Sequence, residues 1–270
     1  MGIGIAYRFA VAGSLVHLVD VDLDHAERSV EATRAALERA VERGKLDRDT
    51  ADRAGARLTA TPDIGAVPEG LPLIVEAVVE VPELKADILG RAEGRHPAVL
   101  ASNTSSISID SLAADLEAPE RFAGMHFFNP VWVIDLVEVI RGTATSEDTI
   151  DTIVEIVASL GMEAAVVNDA PGFASSRLGI VLGLEAIRMV EEGVAAPEDI
   201  DKAMELGYRH PMGPLRTGDL VGLDVRLAIA EHLAGVYGDR FEPPELLRKM
   251  VEEGKLGRKT GEGFYRWTDE

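Results

Sequence analysis

Met1-Gly2-Ile3-Gly4-Ile5-Ala6 opens the chain, and Ser14-Leu15-Val16-His17-Leu18-Val19-Asp20 completes its first twenty residues. Between them runs an apolar stretch of helical character. A helix followed by a short apolar strand that ends on an acid has the form of the second half of a dinucleotide-binding βαβ unit. Gly2 falls where the third glycine of Gly-x-Gly-x-x-Gly belongs. Asp20 falls where a carboxylate grips an adenosine ribose. The first strand and first two glycines of that unit do not precede Gly2, and a start site called too late, or a fragmentary record, is the expected reason. In the strand order 3-2-1-4 the absent strand is central. Residues 15–19 and 73–76 are therefore expected to present open edges, which favour aggregation.

Outward from this stretch, helices and strands alternate. Residues 4–12 read as helix and 15–19 as strand. Asp24 with Glu27 resembles a capping box, and Ala26, Val30, Thr33, Leu37 and Val41 keep helical spacing as far as Gly44. Strands are expected at 58–61, 73–79, 98–102, 122–126, 135–140 and 163–167. Helices are expected at 83–91, 109–116 and 147–160. This alternation predicts an α/β layered sheet, mostly parallel. After Asn168-Asp169-Ala170-Pro171-Gly172 the strand pattern stops. Helices are expected at 173–192, 197–206, 220–237 and 244–253. The chain thus divides into 1–168, a dinucleotide-binding α/β domain, and 169–270, an all-helical domain.

Bulk properties narrow the partners. The net charge of −20 over 270 residues argues against nucleic acid, which requires a basic face. It also means that an anionic ligand needs local relief from helix N-termini or clustered cations. No apolar run approaches the ~20 residues that span a bilayer, and no secretory leader is recognisable, so no membrane association is expected. The absence of cysteine excludes disulfides, thiolate catalysis and cysteine metal sites. The histidines other than His126 are too scattered to suggest a metal site, and no metal is expected.

Three segments could carry chemistry. Glu76-Ala77-Val78-Val79-Glu80, with Lys85 beyond, follows a buried strand and so lies at the carboxyl edge of the sheet, where ligands bind in doubly wound folds. Solvated strand-end charges are the alternative. Ser102-Asn103-Thr104-Ser105-Ser106 forms a hydroxyl-rich loop that caps the next helix or presents a hydroxyl to a substrate oxygen. Met125-His126-Phe127-Phe128-Asn129-Pro130 ends one strand, and Glu138 lies on the next. A carboxylate on one ring nitrogen would orient the imidazole and leave the other as general base. A lone histidine on an apolar segment is more often structural, but the polar neighbours shift that balance. Arg34, Arg39, Arg43, Lys45 and Arg48 make a basic stretch, either a solvated helix face or a grip for phosphates. Gly254-Lys255-Leu256-Gly257-Arg258-Lys259-Thr260-Gly261 imitates a phosphate loop but has the wrong spacing and no preceding strand.

Together these segments resemble the short-chain L-3-hydroxyacyl-CoA dehydrogenase family, including bacterial 3-hydroxybutyryl-CoA dehydrogenases. The resemblance also takes in Pro171-Gly172-Phe173, Pro211-Met212-Gly213-Pro214, Val221-Gly222-Leu223-Asp224 and Gly261-Glu262-Gly263-Phe264-Tyr265, so it covers nearly the whole chain. It implies a Rossmann-type domain with its first strand missing, followed by an all-α domain that binds substrate and dimerises. It implies NAD as cofactor, an acyl-CoA substrate, a homodimer, a cytoplasmic location and a place in fatty-acid metabolism such as beta-oxidation. By position it makes His126 the general base, Glu138 its orienting acid, and Ser105 and Ser176 donors to the reacting oxygen. Gly2, Asp20, Glu80, Lys85, Ser105 and Asn129 would lie along the cofactor, while Arg43 or Lys45 would meet the coenzyme A phosphates. Two positions depart from the family: Ser176 replaces a usual asparagine, and Trp132 replaces a small residue or proline, where it would narrow the acyl pocket. A dehydrogenase of a free 3-hydroxy acid and a non-catalytic acyl-CoA-binding remnant are the alternative readings.

Overall fold

The computed structural model describes residues 1–267, and the chain forms two compact units, Met1–Ala170 and Pro171–Glu270. In the first, α1 (Gly2–Val11) leads to β1 (Val16–Val19), α2 (Leu23–Glu42), α3 (Arg48–Gly55) and β2 (Leu58–Thr61). Then come β3 (Leu73–Glu76), α4 (Pro82–Glu93), β4 (Val99–Ser102), α5 (Ile109–Ala113), β5 (Phe122–Phe127), β6 (Leu136–Arg141), α6 (Glu147–Ser159) and β7 (Glu163–Asn168). The strands form two separate sheets, β1-β2 and β3-β4-β5-β6-β7. Every pairing is parallel except β5 with β6. The expected break therefore falls between β1 and β3: no strand among the described residues hydrogen-bonds either facing edge.

Packing joins what hydrogen bonds do not. Ile5 of α1 belongs to the core of the larger sheet, with Met125, Phe127, Val131, Val137 and Val139. Ala6, Tyr7 and Ala10 belong to a second core, with Val30, Leu37, Ala54 and Leu58. Each side of the helix thus serves a different sheet. A Cβ at Gly4 would stand 2.7 Å from Val131 Cβ, so glycine is needed for this approach. Arg8 Nε donates to the Val131 carbonyl at 2.8 Å and Nη2 to Asp135 Oδ1 at 2.5 Å, tying α1 to the segment between β5 and β6.

Several local expectations are corrected. The cap of α2 is Asp22, not Asp24. Its carboxylate accepts the His25 N–H at 2.8 Å, so the helix begins before the box that the sequence suggested. Helix α3 went unpredicted. Its polar residues hide a small buried side made of Ala51 and Ala54, while Asp47 caps it through the Thr50 N–H. The apolar run 73–79 yields a strand only as far as Glu76, because Glu76 turns back to accept the Val78 N–H at 2.6 Å.

The second unit is helical: α7 (Ser175–Glu191), α8 (Pro197–Lys202), α9 (Pro214–Val221), α10 (Leu223–Tyr237) and α11 (Glu245–Glu252). The single helix expected over 220–237 is two, divided at Gly222, whose φ of 106° is open to glycine and strained for other residues. Its core gathers Ile180, Leu184, Ile187, Leu215, Leu223, Leu233, Phe241 and Leu247. No helix of the described residues is long and apolar enough to cross a membrane.

Candidate active site

Antiparallel pairing of β5 with β6 sets His126 opposite Glu138 in register. Side chains directly opposite on one face of a ladder lie within reach of one another, and His126 Nδ1 stands 2.9 Å from Glu138 Oε2. Both residues are buried, His126 at 8% exposure and Glu138 at 1%. The Phe128 ring lies 4.5 Å from the imidazole. An ionised carboxylate accepts and cannot donate, so in the neutral imidazole this contact puts the hydrogen on Nδ1 and the lone pair on Nε2. That tautomer suits a general base.

The ends of the parallel strands supply the second group. Lys85, from α4, is 1% exposed. Its ammonium donates to Glu76 Oε1 at 2.9 Å, Glu76 Oε2 at 3.2 Å and the Val78 carbonyl at 3.1 Å, and lies 3.3 Å from Glu80 Oε2. Glu80 Oε1 accepts the Thr104 hydroxyl at 2.6 Å and the Ser105 and Ser106 N–H groups at 2.8 and 3.1 Å. Burial pushes the Glu80 carboxyl up, but the Thr104 and Ser105 donors and the Lys85 ammonium outweigh it and hold it below its ordinary value. Ser105 itself is exposed, and its hydroxyl lies 3.2 Å from Glu80 Oε1. The hydroxyl loop also caps locally, through Ser108 onto the Ser111 N–H.

Lys85 was expected along the cofactor. Its buried ammonium is held among the oxygens of Glu76, Val78 and Glu80. The sequence also gave no role to Asn103. Its side-chain oxygen accepts the Phe127 N–H at 2.9 Å and its own N–H donates to the Glu76 carbonyl at 2.8 Å, joining three strand ends. A polar residue directly after a buried strand was the available signal.

The remaining sequence candidates are placed as follows. Asp20, exposed just beyond β1, accepts the Val21 N–H at 2.8 Å. Gly2 begins α1, whose N-terminus has no side-chain cap, and a Cβ built there meets nothing within 4 Å. An open helix N-terminus with an exposed acid at the next strand end suits a pyrophosphate and a ribose diol. The residues present thus fit the adenosine half of a dinucleotide. Asn129 is exposed two residues after β5. Arg43 and Lys45 are exposed at the end of α2 and form no ion pair among the described residues, whereas Arg48 is held by Glu38 at 2.6 Å. Ser176 lies in the first turn of α7, in the second unit. Trp132 is 43% exposed and stands edge-on to Tyr7 of α1, ring centres 6.2 Å apart. No group of three metal-ligating side chains occurs among the described residues.

Comparison with known proteins bears on this arrangement. Residues 1–170 match the family model described as 3-hydroxyacyl-CoA dehydrogenase, NAD binding domain, and residues 172–267 match its C-terminal domain. A probable 3-hydroxybutyryl-CoA dehydrogenase of Deinococcus radiodurans is 44% identical over 99% of this chain and 96% of its own length. One from Bacillus subtilis is 41% identical over 100% of this chain and 94% of its own. The crystal structure of (S)-3-hydroxybutyryl-CoA dehydrogenase PaaH1 from Ralstonia eutropha superposes with a TM-score of 0.92, at 38% identity, covering 100% of this chain and 96% of that one.

Proposed function

The chain belongs to the 3-hydroxyacyl-CoA dehydrogenase family, and from that premise we propose how it works. It interconverts an L-3-hydroxyacyl-CoA and the corresponding 3-ketoacyl-CoA with NAD. The observation that carries the mechanism is the buried His126–Glu138 contact of 2.9 Å. Glu138 fixes the imidazole in the tautomer with its lone pair on Nε2 and stabilises the imidazolium that forms when the base takes a proton. His126 Nε2 then removes the proton of the 3-hydroxyl during oxidation and returns it during reduction. Ser105 donates a hydrogen bond to the same oxygen. Bound NAD supplies the hydride acceptor at its nicotinamide.

Asp20 would hold the adenosine ribose and the N-terminus of α1 at Gly2 would meet the pyrophosphate. Glu80, Ser105 and Asn129 would line the nicotinamide side. The negative charge of Asp20 disfavours a 2′-phosphate, which supports NAD over NADP. Arg43 and Lys45, exposed and without ion pairs among the described residues in a chain of net charge −20, would meet the coenzyme A phosphates. The first unit is assigned to the cofactor and the second to substrate binding and dimerisation. Exposed Leu178, Leu220, Val221 and Val225 in the second unit support a homodimer. A cytoplasmic location, no membrane or nucleic-acid partner, and a role in fatty-acid degradation complete the assignment.

The test is direct. The protein mixed with NAD and L-3-hydroxybutyryl-CoA should generate NADH absorbance. His126→Ala should lower kcat by about 10²–10⁴-fold with the fold intact. Full activity in that variant, or oxidation of the free acid but not the thioester, would displace this proposal.

A further inference from the structure

Lys85 is among the largest fully buried side chains of the described residues. A buried ammonium costs several kcal/mol unless charge and hydrogen bonds compensate it. Compensation comes from two carboxylates that differ sharply in setting. Glu76 has a side chain with no exposed surface, and Glu80 has one that is 36% exposed. Glu76 is saturated from the protein side. Besides the ammonium it accepts the Val78 N–H and the Ser102 hydroxyl, both at 2.6 Å. Glu80 is held at both oxygens from different directions. Oε2 faces Lys85 at 3.3 Å, and Oε1 faces the donors of Thr104, Ser105 and Ser106. A carboxylate gripped on both oxygens cannot turn about its Cγ–Cδ bond, so the donors aimed at it are held as well.

We propose that Glu76 and Lys85 form a positioning pair: a buried charged strut that locks Glu80 against the Thr104–Ser106 turn and so sets where the Ser105 hydroxyl is presented. The importance of that hydroxyl rests on the dehydrogenase reading above; the strut itself is a property of the protein alone. An apolar pair in the same space would join β3, β4 and α4 equally well. What it would lack is any means of orienting Glu80. The charged groups that face Glu80 are Lys85 from α4 and, behind the ammonium, Glu76 at the end of β3. The turn after β4 contributes only neutral donors.

The test is the double variant Glu76→Gln with Lys85→Met, which removes both charges while retaining the side-chain oxygen that receives the Val78 N–H. In the protein without cofactor, the Ser105 and Ser106 amides should exchange about tenfold faster, the loss of roughly one charge-assisted hydrogen bond. The Glu80 carboxyl, followed by NMR, should titrate at higher pH, because the ammonium that favours its ionised form is gone. Thermal unfolding and far-UV CD should stay close to those of the parent. A well-folded double variant with unchanged exchange and unchanged Glu80 titration overturns the proposal. If the double variant fails to fold, Glu76→Gln alone decides the matter with the opposite sign. The ammonium is then left with Glu80 as its single carboxylate, so Glu80 should titrate lower, and no movement overturns the proposal. Failure of the parent to oxidise any 3-hydroxyacyl-CoA would remove the dehydrogenase reading but leave both of these readouts standing.

Discussion

At the scale of single residues, chemistry here depends on which atom of a side chain is already engaged. The Nδ1 contact to Glu138 distinguishes the two ring nitrogens of His126 and leaves Nε2 as the one the proposed mechanism uses. Lys85 shows the same logic in reverse: its ammonium is already surrounded by protein oxygens. Asp20 is the complementary case, an exposed acid with one backbone donor at 2.8 Å and capacity to spare. Replacing Asp20 by Asn removes the charge and weakens the grip on the ribose diol. The KM for NAD should rise about 10–100-fold, the worth of one or two hydrogen bonds to a charged group. Relative use of NADP should increase. Parallel steady-state assays with the two cofactors check this, and an unchanged cofactor ratio would remove Asp20 from its role.

At the scale of elements, caps and close contacts decide boundaries that periodicity leaves open. Asp22 overrides Asp24 because its carboxylate reaches the third N–H of α2. In the second unit a buried acid organises a segment that has no regular structure. Asp219 of α9 is 1% exposed and accepts the Phe264 and Tyr265 N–H groups at 3.0 and 2.9 Å and the Trp267 indole N–H at 2.9 Å. Asp201 does the same for the start of α9, accepting the Leu215 and Arg216 N–H groups and the Tyr265 hydroxyl. Burial and this hydrogen bond to Asp201 push the Tyr265 phenol well above its ordinary value, so it remains a donor throughout the usable pH range. Asp219→Ala leaves three donors without their acceptor. It should cost about 3 kcal/mol and lower the melting temperature by several degrees, with residues 261–267 becoming sensitive to protease first. Calorimetry with limited proteolysis would test this; a melting temperature within a degree of the parent would refute it.

At the scale of the whole molecule, the first unit holds two sheets that share a helix but, among the described residues, no strand pairing. Helix α1 splints them, with Ile5 in one core, Ala6 and Ala10 in the other, and Arg8 tied to Val131 and Asp135. The second unit leaves apolar side chains uncovered, with Leu178 at 67% and Val225 at 41% exposure. Light scattering should therefore report a mass twice that of the chain, and Leu178→Glu with Val225→Glu should shift it toward the monomer without unfolding the protein. A monomer in the parent at micromolar concentration would set the homodimer aside.

Hydrophobic period, glycine position and motif order were enough to read α/β alternation, the passage to helices near residue 168, the family, and Asp20, His126 and Glu138 as candidates. Those signals are local, carried by residues a few places apart. The 2.9 Å contact of His126 with Glu138, the burial of Lys85 between Glu76 and Glu80, the joining role of Asn103 and the splinting by α1 came from the tertiary structure. Each depends on strand register or on burial, and both are fixed only when segments distant in the chain compete for the same space and the same hydrogen-bond partners.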